Sequence, residues 1–385
     1  MDTEIFLKTI DLSKDEAGPP TNEEEAKESF RTLLHDTVYR CGVLEISKQS
    51  TSRASTKWGY GSLFTRKRGG NQCIDLHDEG QYSKVSNSIL RYVKLNDRWV
   101  AFTSLLLKSQ LYRSSMKAPS QYNHSGELSR KPLVVLPRTE AGKPYIPADE
   151  KNEQSSPSFN ISHQFPFVGL AYINGPRSRN SDNGQNSVLS LLLGLDIVMF
   201  DAYKETFHLY SSIDEFLGVF EHTFTPWEWS CIKKSSMEVD DGKSNARIKE
   251  FFLRWSIKEA YTKALGTGMS TEFSSFETRL YDMDENGAEC YNLCSRVLKE
   301  KDYTRLKADV IFCGQEEKEP WHFIFKPLYR NDTEKEHLCG CACICIGKVE
   351  QDDLSFDLNF STTKLDSVIN YHLPAMDEKE DVDDP

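Results

Sequence analysis

The most regular hydrophobic pattern in the chain lies between residues 246 and 268. One helical face there, followed in steps of four and three residues, carries three apolar side chains and then two charged ones: Ile248, Phe252, Trp255, Glu259 and Lys263. The spacing predicts an amphipathic helix whose row ends in a carboxylate and an ammonium group, closed by glycines at 266 and 268. Charges at the rim of a core are costly unless they are paired or bind a ligand. An ordinary surface helix with an i, i+4 Glu–Lys pair is the alternative, which this segment alone favours.

Weaker patterns predict that the rest of the chain mixes helices and strands. Apolar runs or alternation predict strands in residues 38–47, 167–173, 304–313, 321–328 and 338–346. Helical periodicity marks residues 83–112, a stretch around 211–220, and a short amphipathic element at 365–369. A further apolar run at 191–200 is interrupted by a single acid, Asp196. The pattern therefore indicates the α+β class.

Polar segments divide this chain of 385 residues into parts. A single small core does not fill such a length, so two lobes are expected. Low apolar content predicts flexible ends, and the Gly/Asn/Ser-rich stretch predicts a linker. The predicted parts are a flexible acidic extension at 1–36, an N-terminal lobe at 37–174 with a polar insert at about 48–75, a linker at 175–187, a C-terminal lobe at 188–373, and an acidic tail at 374–385.

Charge and hydropathy exclude several classes of protein. The net charge of −12 argues against a general nucleic-acid binder, whose affinity depends on neutralising phosphates. The longest apolar run, at 188–200, is shorter than a membrane span and contains Asp196, so no membrane partner is expected. The first residues lack the basic and apolar regions of a secretory signal. A soluble, cytoplasmic protein is the expectation.

Four of the ten cysteines alternate along one segment: Cys339, Cys341, Cys343 and Cys345. In a strand this spacing places all four on one face in a line, which does not make a tetrahedral zinc site. Small buried hydrophobic side chains are the favoured interpretation over a metal site or disulfides. Reduced thiols fit a cytoplasmic protein.

Three short segments occur in a characteristic order. The first contains GKPYIP at 142–147 and FNISH at 159–163, followed by Gln164; the second is GLD at 194–196; the third is WSIKEAYTK at 255–263. Together they resemble the Sfp-type 4'-phosphopantetheinyl transferase family. The resemblance implies two similar α/β lobes related by pseudo-twofold symmetry, here with long polar insertions, and an active site between them. The implied reaction transfers the 4'-phosphopantetheine moiety of coenzyme A to a serine of an apo-carrier domain and releases adenosine 3',5'-bisphosphate.

The same resemblance assigns roles to individual residues. Asp196 and Glu259 match the ligands of a divalent cation, usually Mg²⁺, which balances the charge of the pyrophosphate. Glu259 is also the implied general base for the carrier serine, and Lys263 the cation that neutralises phosphate charge. The residues that would meet coenzyme A are Lys143, Ser162, His163, Lys258 and Lys263. Without the motifs, Lys143 would be an ordinary loop lysine and His163 a structural histidine.

One position departs from the pattern of the family. Bacterial members often carry a second acid two residues after the aspartate, whereas Val198 stands there in this chain. Gln164 matches a glutamine of the eukaryotic members and is the candidate third metal ligand, with water as the alternative.

The carrier substrate follows less directly from the sequence. The motif variants and insertions resemble fungal members that activate the α-aminoadipate reductase of lysine biosynthesis. Carriers of fatty-acid, polyketide or peptide synthetases are further candidates. Two signature-bearing halves in one chain favour a monomer. The alternative function is a non-catalytic module that binds carrier proteins and retains only the fold.

Overall fold

The structure is a computed structural model of the 385-residue chain. It describes residues 3–12, 23–41, 43–45, 57–59, 79–115, 133–147, 157–173, 191–204, 209–235, 246–283, 287–312, 315–316, 321–332, 335–347 and 356–372. The predicted insert, apart from 57–59, lies outside the described residues, as do the predicted linker at 175–187 and the acidic tail at 374–385.

Strands and helices occur together in the described residues, as the predicted α+β class requires. The strands are β1 (Thr3–Asp11), β2 (Val43–Glu45), β3 (Lys57–Gly59), β4 (Leu133–Val135), β5 (Ser158–Gln164), β6 (Phe167–Ile173), β7 (Leu192–Met199), β8 (Phe276–Asp282), β9 (Thr304–Phe312), β10 (Gln315–Glu316), β11 (Trp321–Asp332), β12 (Lys335–Gly347) and β13 (Phe356–Thr363). The helices are α1 (Glu23–Cys41), α2 (Glu79–Leu90), α3 (Leu95–Ser115), α4 (Ile213–Gly218), α5 (Pro226–Lys234), α6 (Ala246–Leu265), α7 (Leu293–Val297) and α8 (Leu365–His372). Within the described part of the chain, none of the helices has the length and apolar character needed to cross a bilayer.

The strands form three sheets. The largest has the order β10-β9-β11-β12-β7, with β8 also paired to β9. A four-stranded sheet has the order β13-β1-β6-β5, and a small one has the order β3-β2-β4. Strand β7, which contains Asp196, is therefore an edge strand of the largest sheet.

Residue contacts divide the chain into two compact units. The first comprises Met1–Thr9 and Thr139–Ser361, and the second comprises Ile10–Arg138 and Thr362–Pro385. These units differ from the predicted lobes. The prediction places β5 and β6 in the N-terminal lobe and β7 in the C-terminal lobe, whereas all three strands fall within the first unit. The two predicted lobes and their pseudo-twofold relation stay a prediction.

The core of the first unit lies on both faces of the large sheet. On β12, Cys341, Cys343 and Cys345 pack in one cluster with residues of α6, whereas Ala342 and Ile344 pack on the opposite face. Three of the four alternating cysteines therefore line one face as small buried side chains, as predicted.

The prediction that all four cysteines share a face was wrong for Cys339. The pairing of β11 with β12 shifts register between Leu328 and Tyr329, so that Cys339 packs with the opposite cluster. Its thiol donates to the carbonyl oxygen of Leu328 at 3.2 Å. A bulge inserts one residue into a strand and thereby reverses the side-chain alternation beyond it.

The second unit contains a helical cluster in which α2 and α3 match the predicted helical stretch at 83–112, whereas α1 was not predicted. Helix α1 buries side chains at helical spacing, and its Phe30 packs edge-on against Trp99 and Phe102 of α3. The expectation of a flexible extension at 1–36 was wrong for α1 and for strand β1, and the predicted strand at 38–47 is reduced to β2. Acidic residues in the first turn of α1 lower the apparent hydrophobicity, although they favour a helix N-terminus.

Candidate active site

The close approach of α6 to β7 brings the candidate site together. A Cβ atom added to Gly194 would lie 1.8 Å from the carbonyl oxygen of Ala260 and 2.6 Å from the backbone nitrogen of Ala264. Only glycine therefore permits this spacing between strand and helix. Because side chains alternate along a strand, Asp196 lies on the same face of β7 as Gly194 and points towards α6. Gly194 thus allows the close packing of β7 on α6 that brings Asp196 near the helix.

Asp196 and Lys263 form the centre of the site. The ammonium of Lys263 lies 2.6 Å from Asp196 Oδ1 and 3.7 Å from Glu259 Oε2. It also donates to Ser162 Oγ at 3.2 Å, and that hydroxyl donates to Asp196 Oδ1 at 3.1 Å. The two predicted catalytic acids and Ser162 therefore surround the positive charge of the third predicted catalytic residue, Lys263.

Burial controls the electrostatics of both carboxylates. It raises the pKa of Asp196 above its ordinary value, while the charge of Lys263 and the bonds from Lys263, Ser162 and the Ile197 amide oppose the rise. It also raises the pKa of Glu259, which the Lys263 charge opposes and the neighbouring Asp196 reinforces. Two neighbouring acids in a buried site favour the binding of a cation. The raised pKa of Glu259 also makes it a better proton acceptor.

A seam of side-chain hydrogen bonds joins β5 to the free edge of β7. The backbone nitrogens of Leu195, Ile197 and Met199 donate to Asn160 Oδ1 at 3.2 Å, Ser162 Oγ at 3.1 Å and Gln164 Oε1 at 2.6 Å. Every second side chain of β5 thus accepts a hydrogen bond from the backbone of β7. These bonds replace those that a neighbouring strand would form along the edge of the sheet. Sequence analysis missed Asn160; the signal was the alternation of polar residues along FNISHQ.

A cleft of about 350 Å³ opens beside the carboxylates. Its polar lining includes His163, Gln164, Asp196 and Glu259, and its wall is largely aromatic: Tyr203, Phe216, Phe220, Phe251, Phe252 and Trp255. His163 is exposed and lies at this cleft, and its contact with coenzyme A stays a prediction.

The sequence analysis predicted that one row of α6 is buried. Three residues of that row, Phe252, Trp255 and Glu259, instead line this cleft. Phe252 and Trp255 are half-buried, whereas neighbouring positions such as Leu253 and Ile257 lie in the core. Helix α6 is buried on several faces, so its apolar periodicity did not identify the core-facing side.

Lys258 is not brought into the site. Its side chain is fully buried, lies 2.8 Å from Glu228 Oε1, and donates to the carbonyl oxygens of Phe273 and Phe276. A step of five residues to Lys263 places the two lysines on different sides of α6. The ammonium of Lys143 also has partners within the protein. It donates to two backbone carbonyl oxygens in the last turn of α6 and to one on β7.

The residues present fit a hard divalent cation held by two carboxylates. Asp196 and Glu259 already lie near one positive group, and oxygen ligands completed by water or phosphate suit Mg²⁺. Val198 is buried among apolar side chains and offers no oxygen ligand. Gln164 lines the cleft, but its carbonyl oxygen accepts from Met199. Among the described residues, no group of three or more His, Cys, Asp or Glu side chains could hold a metal ion.

Comparison with known proteins finds two family models along the chain. Residues 192–323 match the model described as "4'-phosphopantetheinyl transferase superfamily", and residues 82–174 match "4'-phosphopantetheinyl transferase, N-terminal". The first match contains β7 and α6, and the second contains the GKP turn and β5. The matched regions therefore include every predicted site residue.

Individual relatives have similar descriptions. A human L-aminoadipate-semialdehyde dehydrogenase-phosphopantetheinyl transferase is 28% identical over 233 residues, which cover 60% of this chain and 59% of that protein. A protein of the same name from Schizosaccharomyces pombe is 29% identical over 49% of this chain and 62% of its own length. A phosphopantetheinyl transferase from Thraustochytrium is 31% identical over 35% and 39%, respectively. The chain thus spans less than two thirds of each of these relatives.

Proposed function

Since this chain belongs to the 4'-phosphopantetheinyl transferase superfamily, we propose that it transfers 4'-phosphopantetheine from coenzyme A to a serine of an apo-carrier domain. Adenosine 3',5'-bisphosphate is the second product. The observation that carries the proposal is the convergence of Asp196, Glu259 and Lys263, from β7 and α6, beside an open cleft.

In the proposed reaction, the serine oxygen attacks the phosphorus that bears the pantetheine arm. A bond forms between that oxygen and the phosphorus, and the bond from the phosphorus to the adenosine bisphosphate breaks. Glu259 accepts the serine proton, directly or through water, and its raised pKa suits this role. Lys263 neutralises charge on the phosphoryl oxygens, for which its position between the carboxylates provides a nearby cation.

Asp196 and Glu259 are the proposed ligands of Mg²⁺. The ion would supply electrostatic stabilisation of the phosphoryl oxygens in the transition state. Gln164 remains the proposed third ligand, since an amide oxygen has a second lone pair beyond the one used by Met199. Ser162 holds Asp196 in place from β5, and His163 lies at the cleft where a phosphate of coenzyme A would bind.

The proposed carrier is that of an α-aminoadipate reductase. The names of the human and fission-yeast relatives support this choice, and carriers of fatty-acid, polyketide or peptide synthetases remain candidates. We also propose a monomer that acts in the cytoplasm. The pseudo-twofold relation of two lobes is part of the proposal and rests on the resemblance alone.

An intact-mass assay tests the reaction. The protein is incubated with coenzyme A, Mg²⁺ and a panel of apo-carriers that includes the α-aminoadipate reductase carrier domain. We expect a phosphopantetheine mass gain that requires the metal and is lost with Glu259→Gln. Glu221→Gln is the matched control, because Glu221 is exposed and pairs only loosely with Lys233 at 3.4 Å.

Failure of every carrier to gain mass, with carrier binding retained, would favour the non-catalytic alternative. Full activity of the Glu259→Gln variant would confirm transfer but would show that Glu259 is not the general base.

A further inference from the structure

The GKP turn is built to hold the side chain of Lys143 in one direction. The backbone nitrogen of Thr139 donates to the carbonyl oxygen of Lys143 at 2.8 Å, and Lys143 N donates back to Thr139 Oγ1 at 3.1 Å. The Gly142 nitrogen closes the turn by donating to the Thr139 carbonyl oxygen at 3.0 Å. Pro144 follows and further restricts the backbone of Lys143.

All three N–H groups of the Lys143 ammonium have a backbone acceptor. Nζ lies 3.1 Å from the carbonyl oxygen of Leu193, 2.9 Å from that of Lys263, and 3.1 Å from that of Ala264. Leu193 belongs to β7, three residues before Asp196, whereas the other two residues form the last turn of α6. One side chain therefore joins the strand and the helix that contain the proposed catalytic residues.

The end of α6 is arranged to receive this cation. The nitrogen of Gly266 donates to Lys263 O at 3.2 Å and that of Thr267 to Thr262 O at 3.1 Å, which is a Schellman arrangement with Gly266 at φ 78°. The carbonyl oxygen of Ala264 is among the last of the helix, where a positive charge is favourable. A Cβ atom on Gly266 would lie 3.5 Å from Cδ of Lys143, so the lysine stem packs over the glycine.

The hydrogen bonds and the burial of Lys143 act in opposite directions on its charge. Burial lowers the pKa of Lys143 to about 8, whereas three carbonyl acceptors favour the protonated form. At neutral pH the ammonium therefore keeps all three donors.

We propose that Lys143 is a positioning residue that ties the C-terminus of α6 to β7 and so sets the separation of Asp196 from Glu259 and Lys263. This inference rests on the proposed transferase function. It differs from the role that the resemblance assigns to Lys143, which is contact with a phosphate of coenzyme A.

Two substitutions separate positioning from phosphate binding. Lys143→Met keeps the stem and removes the donors, and Lys143→Arg keeps a charge that binds phosphate well but cannot place three donors from one atom. Both variants are expected to lower kcat about 10- to 100-fold, since small misplacements of reacting groups have effects of this size. The dissociation constant of coenzyme A, measured by calorimetry, should stay within about threefold of the wild type. Lys301→Met, at an exposed lysine, is the matched control.

A phosphate contact would give the reverse result. Lys143→Met would then weaken coenzyme A binding about tenfold or more, and Lys143→Arg would be close to the wild type. Either result overturns the positioning role.

Hydrogen exchange tests the same role without any carrier. In Lys143→Met the amides of Gly266 and Thr267 should exchange faster, while amides in the middle of α6 keep their wild-type protection. Unchanged exchange at the helix end would contradict the proposal even in an active enzyme. A wild-type protein that modifies no carrier would defeat the proposed function, yet would leave this readout intact.

Discussion

At Asp196, the protein keeps a carboxylate where its charge is disfavoured. The side chain is almost fully buried, and burial raises its pKa despite the ion pair with Lys263 at 2.6 Å. Above its folded-state pKa the charged form therefore reduces stability, and this cost disappears as the pH falls through that pKa. A residue retained at such a cost is typical of a functional site.

Asp196→Asn should therefore stabilise the metal-free protein while it abolishes transfer. We expect the melting temperature at neutral pH to rise by a few degrees, because the variant has no buried charge to desolvate. The gain should shrink in acid, where the wild-type carboxyl is also neutral. Calorimetric scans across a pH series measure both effects, with the exposed neighbour changed in Asp201→Asn as control. A variant that is less stable than the wild type at neutral pH would contradict this account.

Lys258 and Glu228 form a second buried pair, away from the cleft. Both side chains are at most 2% exposed, and Glu228 also accepts from the backbone nitrogens of Thr225 and Thr278. Lys258→Met leaves Glu228 buried without its partner and should cost about 3–5 kcal/mol of unfolding free energy. The double variant Glu228→Gln/Lys258→Met should recover part of that loss in denaturant titrations.

Coenzyme A affinity provides the opposing test for Lys258. A stable Lys258→Met protein with coenzyme A binding weakened about tenfold would support the phosphate contact implied by the resemblance. Unchanged affinity would leave Lys258 as a residue of the core.

Among the elements, the contact of β7 with α6 depends most on one small residue. Gly194→Ala places a methyl group against the backbone of Ala260 and Ala264, so the helix must move away from the strand. We expect a loss of about 1–3 kcal/mol or more in unfolding free energy. Activity of the folded protein should fall by about 100-fold, because Lys263 and Glu259 move away from Asp196. Gly218→Ala is the control, since a Cβ there meets no atom within 4 Å.

Elements were predictable where one strong signal dominated. The helix at 246–265 and the strands β9, β11 and β12 followed from periodicity and apolar runs. Strand β1 and helix α1 were missed because acidic and polar residues between their buried side chains resemble a disordered segment. The displacement of Cys339 depended on a bulge in β11–β12 pairing, which alternation within one strand does not reveal.

For the whole molecule, buried thiols give a simple test of the fold. Eight of the ten cysteines are buried and form no disulfide among the described residues, and Cys73 and Cys313 lie outside those residues. Burial raises the pKa of Cys341, Cys343 and Cys345, which keeps them as unreactive thiols. A thiol-specific reagent should label at most two cysteines in the native protein and all ten after unfolding without reductant. Fewer than ten in the unfolded protein would indicate disulfides.

The sequence by itself determined the resemblance to a family, and from it the prediction of the reaction and of the central acids and lysine. Ordered motifs carry this information because the chemistry requires those residue types at those positions. Only the tertiary structure decided which charges meet: Asp196, Glu259 and Lys263 converge, Lys258 turns into the core, and Lys143 binds the end of α6. The reason is that spacing along one helix specifies a side chain's direction, whereas its partner belongs to a segment distant in the chain.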